Sequence, residues 1–269
     1  MMTAIANDTI YAYTGGRPAV AGQPTLVFVH GAGHDHSVWN MPARHFAHHG
    51  FNVLAPDLPG HGRSGGEALG SIEAIADWLL DWLDTRTDAP VVLVGHSMGS
   101  LIALRAAAQR PERIAKLVLV GSVIPMPVAA PLLDATLSAR DKAHAMINLW
   151  SYAPASQLGA SAQPGMALTG VNRRLMERCA PGVLHTDMAA CNAYVTGEAD
   201  AARITAPTRL ICGQRDQMTP PKAARPLQTA LAKVPGSAHI IVLPAAGHAM
   251  MAEAPDAFLD ALRGFIVTP

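Results

Sequence analysis

Along this chain, short runs of aliphatic and β-branched residues alternate with longer stretches whose apolar positions recur every three or four residues. The period of the pattern therefore switches repeatedly between that of a buried strand and that of an amphipathic helix. The runs at 24–29, 51–55, 91–94, 116–121, 208–213 and 239–243 predict strands. Their near-continuous apolar character means burial on both faces of a sheet. Between them the spacing predicts helices over 37–50, over 73–83 with Ser71 as cap, beyond Ser97 with Leu101, Leu104 and Ala108 in register, and from Thr219-Pro220. A closing helix is predicted over 256–265, with Ala257, Phe258, Ala261, Leu262 and Phe265 facing inward. Near the start, Thr9-Ile10-Tyr11-Ala12-Tyr13 alternates and Thr14-Gly15-Gly16 turns, which predicts an opening hairpin completed by the strand at 24–29.

Strands and helices alternating at this pace require crossover connections, hence an α/β fold with a mostly parallel sheet. The rhythm breaks over 122–204, where no strand is predicted. Helical stretches at 130–150, 171–179 and 183–194 occupy this part, punctuated by Pro125, Pro127, Pro154, Pro164 and Pro181. A helical insertion between two strands of such a sheet is expected to sit over the strand ends, where α/β proteins bind ligands. The expected organisation is an α/β core from 1–121 and 205–269, interrupted by a helical cap at 122–204.

One junction carries chemistry. Val91-Val92-Leu93-Val94 passes into Gly95-His96-Ser97-Met98-Gly99 and then into the helical run Leu101-Ile102-Ala103-Leu104. A serine between a strand and a helix, with glycine two residues before and two after, has the spacing of a nucleophile elbow, whose turn is too tight for side chains at those flanking positions. A serine hydroxyl needs a base, and the base needs a partner that fixes its tautomer. Asp216 follows the strand at 208–213, and His248 follows the strand at 239–243. Taken singly, Asp216 reads equally as an acid capping the helix near Thr219, and His248 as a solvated loop histidine. Parallel strands, however, deliver both loops to the sheet edge that carries Ser97. Two amides are candidates for stabilising a developing oxyanion: that of Met98, next to the serine at a helix start, and that of Ala32 in His30-Gly31-Ala32-Gly33.

Composition narrows the partners. The 269 residues include 20 Lys+Arg and 20 Asp+Glu, so there is no electrostatic case for nucleic acid or an anionic membrane surface. Half of the residues are apolar and 15% are charged, which argues against disorder. Every apolar stretch is interrupted well short of the roughly 20 residues of a membrane span, and residues 1–8 lack the basic and apolar regions of a secretory signal. Cys179, Cys191 and Cys212 have neither metal-ligand nor redox spacing, so a reduced, cytoplasmic setting is expected.

The segments His30-Gly31-Ala32-Gly33-His34-Asp35-His36-Ser37-Val38-Trp39, Asp57-Leu58-Pro59-Gly60-His61-Gly62-Arg63-Ser64, Gly95-His96-Ser97-Met98-Gly99, Gly213-Gln214-Arg215-Asp216 and Gly247-His248 together resemble the α/β-hydrolase superfamily. The order Ser97, Asp216, His248 is that of the family. The resemblance implies an eight-stranded, mostly parallel sheet, Ser97 as nucleophile, His248 as base, Asp216 as orienting acid, Ala32 and Met98 as oxyanion donors, and no cofactor. Small bacterial esterases, enol-lactone hydrolases and carbon-carbon bond hydrolases with a short helical cap are the most similar members. Dehalogenases and epoxide hydrolases, with Asp at the nucleophile, are excluded by Ser97; His96 and Met98 depart from prolyl aminopeptidases.

The expected function is cleavage of a small carboxylic ester or lactone with an apolar moiety through an acyl-enzyme. The alternatives are carbon-carbon or thioester hydrolysis with the same triad, or a capped-pocket ligand receptor with little turnover. Met126, Met146, Met166, Met176 and Met188 fall in or beside the predicted cap. Met126, Met146 and Trp150 are taken as candidate substrate contacts, and Tyr152 as a further one. Trp39, Trp78 and Trp82 read as core, Arg173 and Arg174 as a solvated helix face, and His34/Asp35/His36 as a polar loop at the pocket mouth rather than a metal site.

Overall fold

Continuous apolar runs produce the strands β1 (Ala12–Tyr13), β2 (Thr25–Val29), β3 (Asn52–Pro56), β4 (Val91–His96), β5 (Ile114–Val120), β6 (Thr208–Gly213) and β7 (His239–Leu243) in a computed structural model that describes residues 9–268. They form one sheet in the order β1-β3-β2-β4-β5-β6-β7, parallel throughout except for β1 against β3. Seven strands among the described residues replace the expected eight, and the opening hairpin is not formed. Both edges of β2 are taken, by β3 and β4, so the incoming segment pairs with the free edge of β3, and the Asp57 amide extends that pairing to the Tyr11 carbonyl at 2.9 Å. The expectation for residues 1–8 lies outside the described residues.

Helices α1 (Asn40–Ala47), α2 (Ile72–Asp84) and α3 (Met98–Gln109) connect the first parallel strands; α10 (Arg225–Ala230), α11 (Met250–Glu253) and α12 (Pro255–Ile266) complete the flanks. Between β5 and β6 the chain folds only into helices: α4 (Ala130–Ser138), α5 (Arg140–Ser151), α6 (Pro154–Gln157), α7 (Leu168–Glu177), α8 (Val183–Ala193) and α9 (Gly197–Ala201). The single helix expected over 130–150 breaks at Ala139, where φ is −150° and ψ 65° and the Ser138 hydroxyl turns back onto the Asp134 carbonyl at 3.0 Å. Over 37–50, a 3-10 turn at His36–Trp39, capped by Asp35, precedes α1. Ser71 does cap α2, accepting from the Ala74 amide at 3.1 Å.

Alternation along the strands splits the core into two layers. Val27, Val29, Leu93, Leu117 and Leu119 point to the side of α2 and α3, and Leu26, Phe28, Val94, Val118 and Val120 to the side of α1 and α12. Trp39 and Trp82 are fully buried in opposite layers, and Trp78 stacks on Trp82. On α12, Phe258, Leu262 and Ile266 make the inner face, while Ala257 is exposed. The chain runs from β2 to β3 on one side and then to β4 on the other, so the loops leaving β2 and β4 diverge at a topological switch point, where open α/β sheets place their ligands.

Candidate active site

At the carboxyl end of β4 the backbone turns through Ser97 at φ 54° and ψ −122°, a conformation that non-glycine residues adopt only when the surroundings enforce it. The enforcement is steric: a Cβ on Gly95 would lie 2.1 Å from the Gly99 carbonyl oxygen, and one on Gly99 would lie 2.3 Å from the oxygen of Val29. Strand β4 and helix α3 thereby approach each other and β2 at backbone contact, and Ser97 is lifted onto the switch point. Met98 is the first residue of α3, so its N–H has no acceptor within the helix.

Strands β6 and β7 bring Asp216 and His248 to the same edge. The His248 Nδ1–H donates to Asp216 Oδ2 at 2.7 Å, with both side chains buried. The other carboxylate oxygen accepts from the amides of Met218 and Thr219, each at 2.8 Å, and the Thr219 hydroxyl donates to Oδ2 at 2.7 Å. Burial pushes the Asp216 carboxyl up, but the neighbouring imidazole and the Thr219 donors outweigh it and hold the group below the usual carboxylate range. With Nδ1 engaged, Nε2 is the His248 nitrogen left for a reacting proton. Thr219, expected as a helix cap, instead fixes the acid; the spacing Asp216-x-x-Thr219, an Asx-type turn, was the available signal.

His96 is a further residue whose part sequence reasoning missed. Its Nε2–H donates to the His248 carbonyl at 3.0 Å and its ring lies 4.6 Å from that of His248. Burial first, then the neighbouring histidines, push its pKa well down, so it stays a neutral brace. Glu253 holds the same loop: its carboxylate accepts from the Gly247 amide at 2.9 Å and from the Ala153 amide and Ser156 hydroxyl at 2.8 Å.

A cavity of about 300 Å³ opens beside Ser97. Ala32 and Thr219 line it together with Met126, Trp150, Met188 and Cys191, and none of its lining residues is charged. Met126 and Trp150, two of the three residues expected to contact substrate, are thus among the residues lining it. Met146, the third, does not line it and lies half-buried on α5 against the core; Tyr152 is buried and does not line it either. Met188, Cys191, Leu132, Gln217 and Met218 line it instead or in addition, and only their helical and loop register, not their type, distinguishes them in the sequence.

Asp35 and His36, in the loop after β2, meet Asp57, which follows β3. Asp57 accepts from the His36 amide and ring at 2.7 Å and from the Arg63 amide at 2.8 Å, and Asp35 from the Ser37 amide and Arg178. Every carboxylate oxygen there already has a protein donor. Arg173 and Arg174 are exposed and paired with Glu177.

The alpha/beta hydrolase family model matches residues 26–261, and the chain belongs to this family. Lipase LipV of Mycobacterium tuberculosis is 35% identical over 45% of this chain and 46% of its own length, so that match spans about half of the relative. The pimeloyl-[acyl-carrier protein] methyl ester esterase of Nitrosomonas europaea is 28% identical over 88% of this chain and 93% of its own. Among solved structures, the enol-lactonase from Burkholderia xenovorans superimposes with a TM-score of 0.83, 21% identity and 96% of each chain covered, a likeness of fold. No helix among the described residues is long and apolar enough to cross a membrane.

Proposed function

We propose that this α/β-hydrolase cleaves a small carboxylic ester or lactone with an apolar acyl part. The observation that carries the reading is the buried 2.7 Å bond from His248 to Asp216 at the strand edge where Ser97 sits in its strained turn. Membership of the family and the esterase relative from Nitrosomonas europaea support the reaction class, and the uncharged cavity supports the apolar acyl part.

In the proposed reaction Ser97 Oγ attacks the ester carbonyl carbon while its proton passes to His248 Nε2, and Asp216 stabilises the imidazolium. The oxyanion of the tetrahedral intermediate accepts from the amides of Met98 and Ala32. When the ester C–O bond breaks, His248 gives its proton to the departing alkoxide. Water, deprotonated by the same nitrogen, then attacks the acyl-enzyme, and the C–Oγ bond breaks to return Ser97 and the acid. Each step uses groups of the chain and water alone. Residues 1–121 and 205–269 form the core in this reading, and 122–204 caps the site. The free, buried thiols of Cys179, Cys191 and Cys212 support a cytoplasmic setting.

The test is hydrolysis of p-nitrophenyl butyrate and labelling by a fluorophosphonate probe. Wild-type protein is expected to turn over the ester and to be labelled, and Ser97→Ala to lose both while unfolding at the same temperature; full activity in Ser97→Ala overturns the reading.

A further inference from the structure

The Ala32–Gly33 peptide is held at its N–H by a residue of the helical insertion and at its carbonyl by a loop histidine that the insertion braces. Its N–H, that of Gly33, donates to Asp187 Oδ2 on α8 at 2.8 Å. Its carbonyl, that of Ala32, accepts from His34 Nδ1 at 2.6 Å; His34 Nε2 hydrogen-bonds the side-chain amide of Asn172 on α7, and that amide bonds the side chain of Asn148 on α5, both at 2.8 Å. Asn148 in turn donates to the Thr169 carbonyl at 3.0 Å. Helix α8 thus reaches this peptide bond directly, and α7 and α5 brace it through His34, next to the amide assigned above to the oxyanion.

Asp187 is the stiffest member of this grip. It is fully buried, and its Oδ2 also accepts from His61 Nε2 at 2.9 Å, while the other His61 nitrogen donates to the Pro59 carbonyl. With both ring nitrogens donating, His61 is the cation of a buried pair. Burial pushes its pKa down, but the charge and hydrogen bond of Asp187 outweigh this and raise it. Burying a carboxylate carries a desolvation penalty that its ion pair repays only in part, so a buried pair is weak evidence of a role in stability alone. Among the described residues its other oxygen has no hydrogen-bond partner, which adds to that penalty. Leu184, one turn before Asp187, lies on Gly33, whose added Cβ would sit 2.8 Å from Leu184 Cδ1. Met188 and Cys191, one residue and one turn beyond, line the cavity beside Ser97. One face of α8 therefore touches both the oxyanion loop and the substrate cavity.

We infer that Asp187 is a positioning residue for the reaction: its carboxylate, anchored by His61, holds the Gly33 amide and thereby keeps the Ala32 N–H aimed at the oxyanion. The inference rests on the proposed hydrolysis and on Ala32 as an oxyanion donor. An amide misdirected by even a fraction of an ångström is lost chiefly to the transition state, because the oxyanion and not the ground-state carbonyl needs it.

Steady-state kinetics on p-nitrophenyl butyrate, with fluorophosphonate labelling and thermal unfolding in parallel, test this. In Asp187→Ala the acceptor of the Gly33 N–H is gone, and kcat is expected to fall at least tenfold with KM within threefold of wild type. Asn172→Ala, which loosens the carbonyl end and leaves the buried pair intact, is expected to lower kcat about threefold with KM unchanged, and carries the test if Asp187→Ala does not fold. Wild-type kcat in the folded variants, or a change confined to KM or to the unfolding temperature, overturns the inference while the hydrolase reading stands. A wild-type chain inert to both ester and probe overturns the two together.

Discussion

The amide of His248 donates to the carbonyl of Ser151 at 2.6 Å. One residue earlier on α5, the Trp150 carbonyl accepts from the Gln217 amide at 3.3 Å. The last carbonyls of a helix have no donors within it. Here the two loops that carry Asp216 and His248 supply them, and the Gln157 side chain completes those of Leu149 and Tyr152 at 3.0 and 2.7 Å. One helix end of the insertion thus fixes the spacing of two loops that come from different strands of the core.

Glu253 sits under the same junction, and Glu253→Ala strands three donors, the amides of Gly247 and Ala153 and the Ser156 hydroxyl. An unsatisfied buried group costs about 1–3 kcal/mol, so a loss of about 3 kcal/mol in urea unfolding is expected, with a fall in kcat as the His248 loop loosens. Unchanged stability would show that water replaces the carboxylate.

The strain at Ser97 predicts that its replacements separate. Glycine adopts φ 54° freely and alanine does not, so Ser97→Gly is expected to be more stable than Ser97→Ala by about 1 kcal/mol, with both inactive. Denaturant midpoints of the two variants check this.

Met188 and Cys191 line a cavity of about 300 Å³ beside Ser97. Cys191→Phe is expected to cut kcat/KM for p-nitrophenyl hexanoate about tenfold relative to the acetate, and Met188→Ala to shift the ratio toward the longer acyl chain, since a methylene in an apolar pocket is worth about 1–3 kcal/mol. Chain-length profiles read the result directly.

Stability is expected to bend with pH at two buried histidines. Burial, then the neighbouring His61, push His30 down from 6.5 to about 4. Between those values the unfolded chain takes up a proton that the folded one refuses, so stability falls on acidification through this range. His61 has the opposite sign: its raised pKa stabilises the fold below its ordinary value and that contribution is lost as pH rises through the raised one. Urea midpoints across pH are expected to show a shallower acid decline in His30→Asn and a shallower alkaline decline in Asp187→Asn.

Much of the core was legible because its signals are local. A buried strand needs a continuous apolar run, which is why β4, β6 and β7 lie within two residues of their predicted places. The elbow was legible because two glycines are a steric requirement of the turn. The opening hairpin was not, since its failure depends on β4 occupying the second edge of β2 from residues far along the chain. Nor was the place of Met146 outside the cavity lining, since Trp150, four residues on along the same helix, does line it and only the packing of α5 separates the two.

By itself, then, the sequence determined the alternation of strands and helices, the tight turn at Ser97 and the order in which Ser97, Asp216 and His248 leave their strands, because each rests on residues a few positions apart. Only the tertiary structure decided that Thr219 and Asp216 share one turn with the His248 ring, that α5 ends on both loops, and that Asp187 reaches the Gly33 amide across 154 positions of chain. Those contacts join buried polar groups from distant segments, and a buried donor finds its acceptor through the packing of whole elements, which no local pattern encodes.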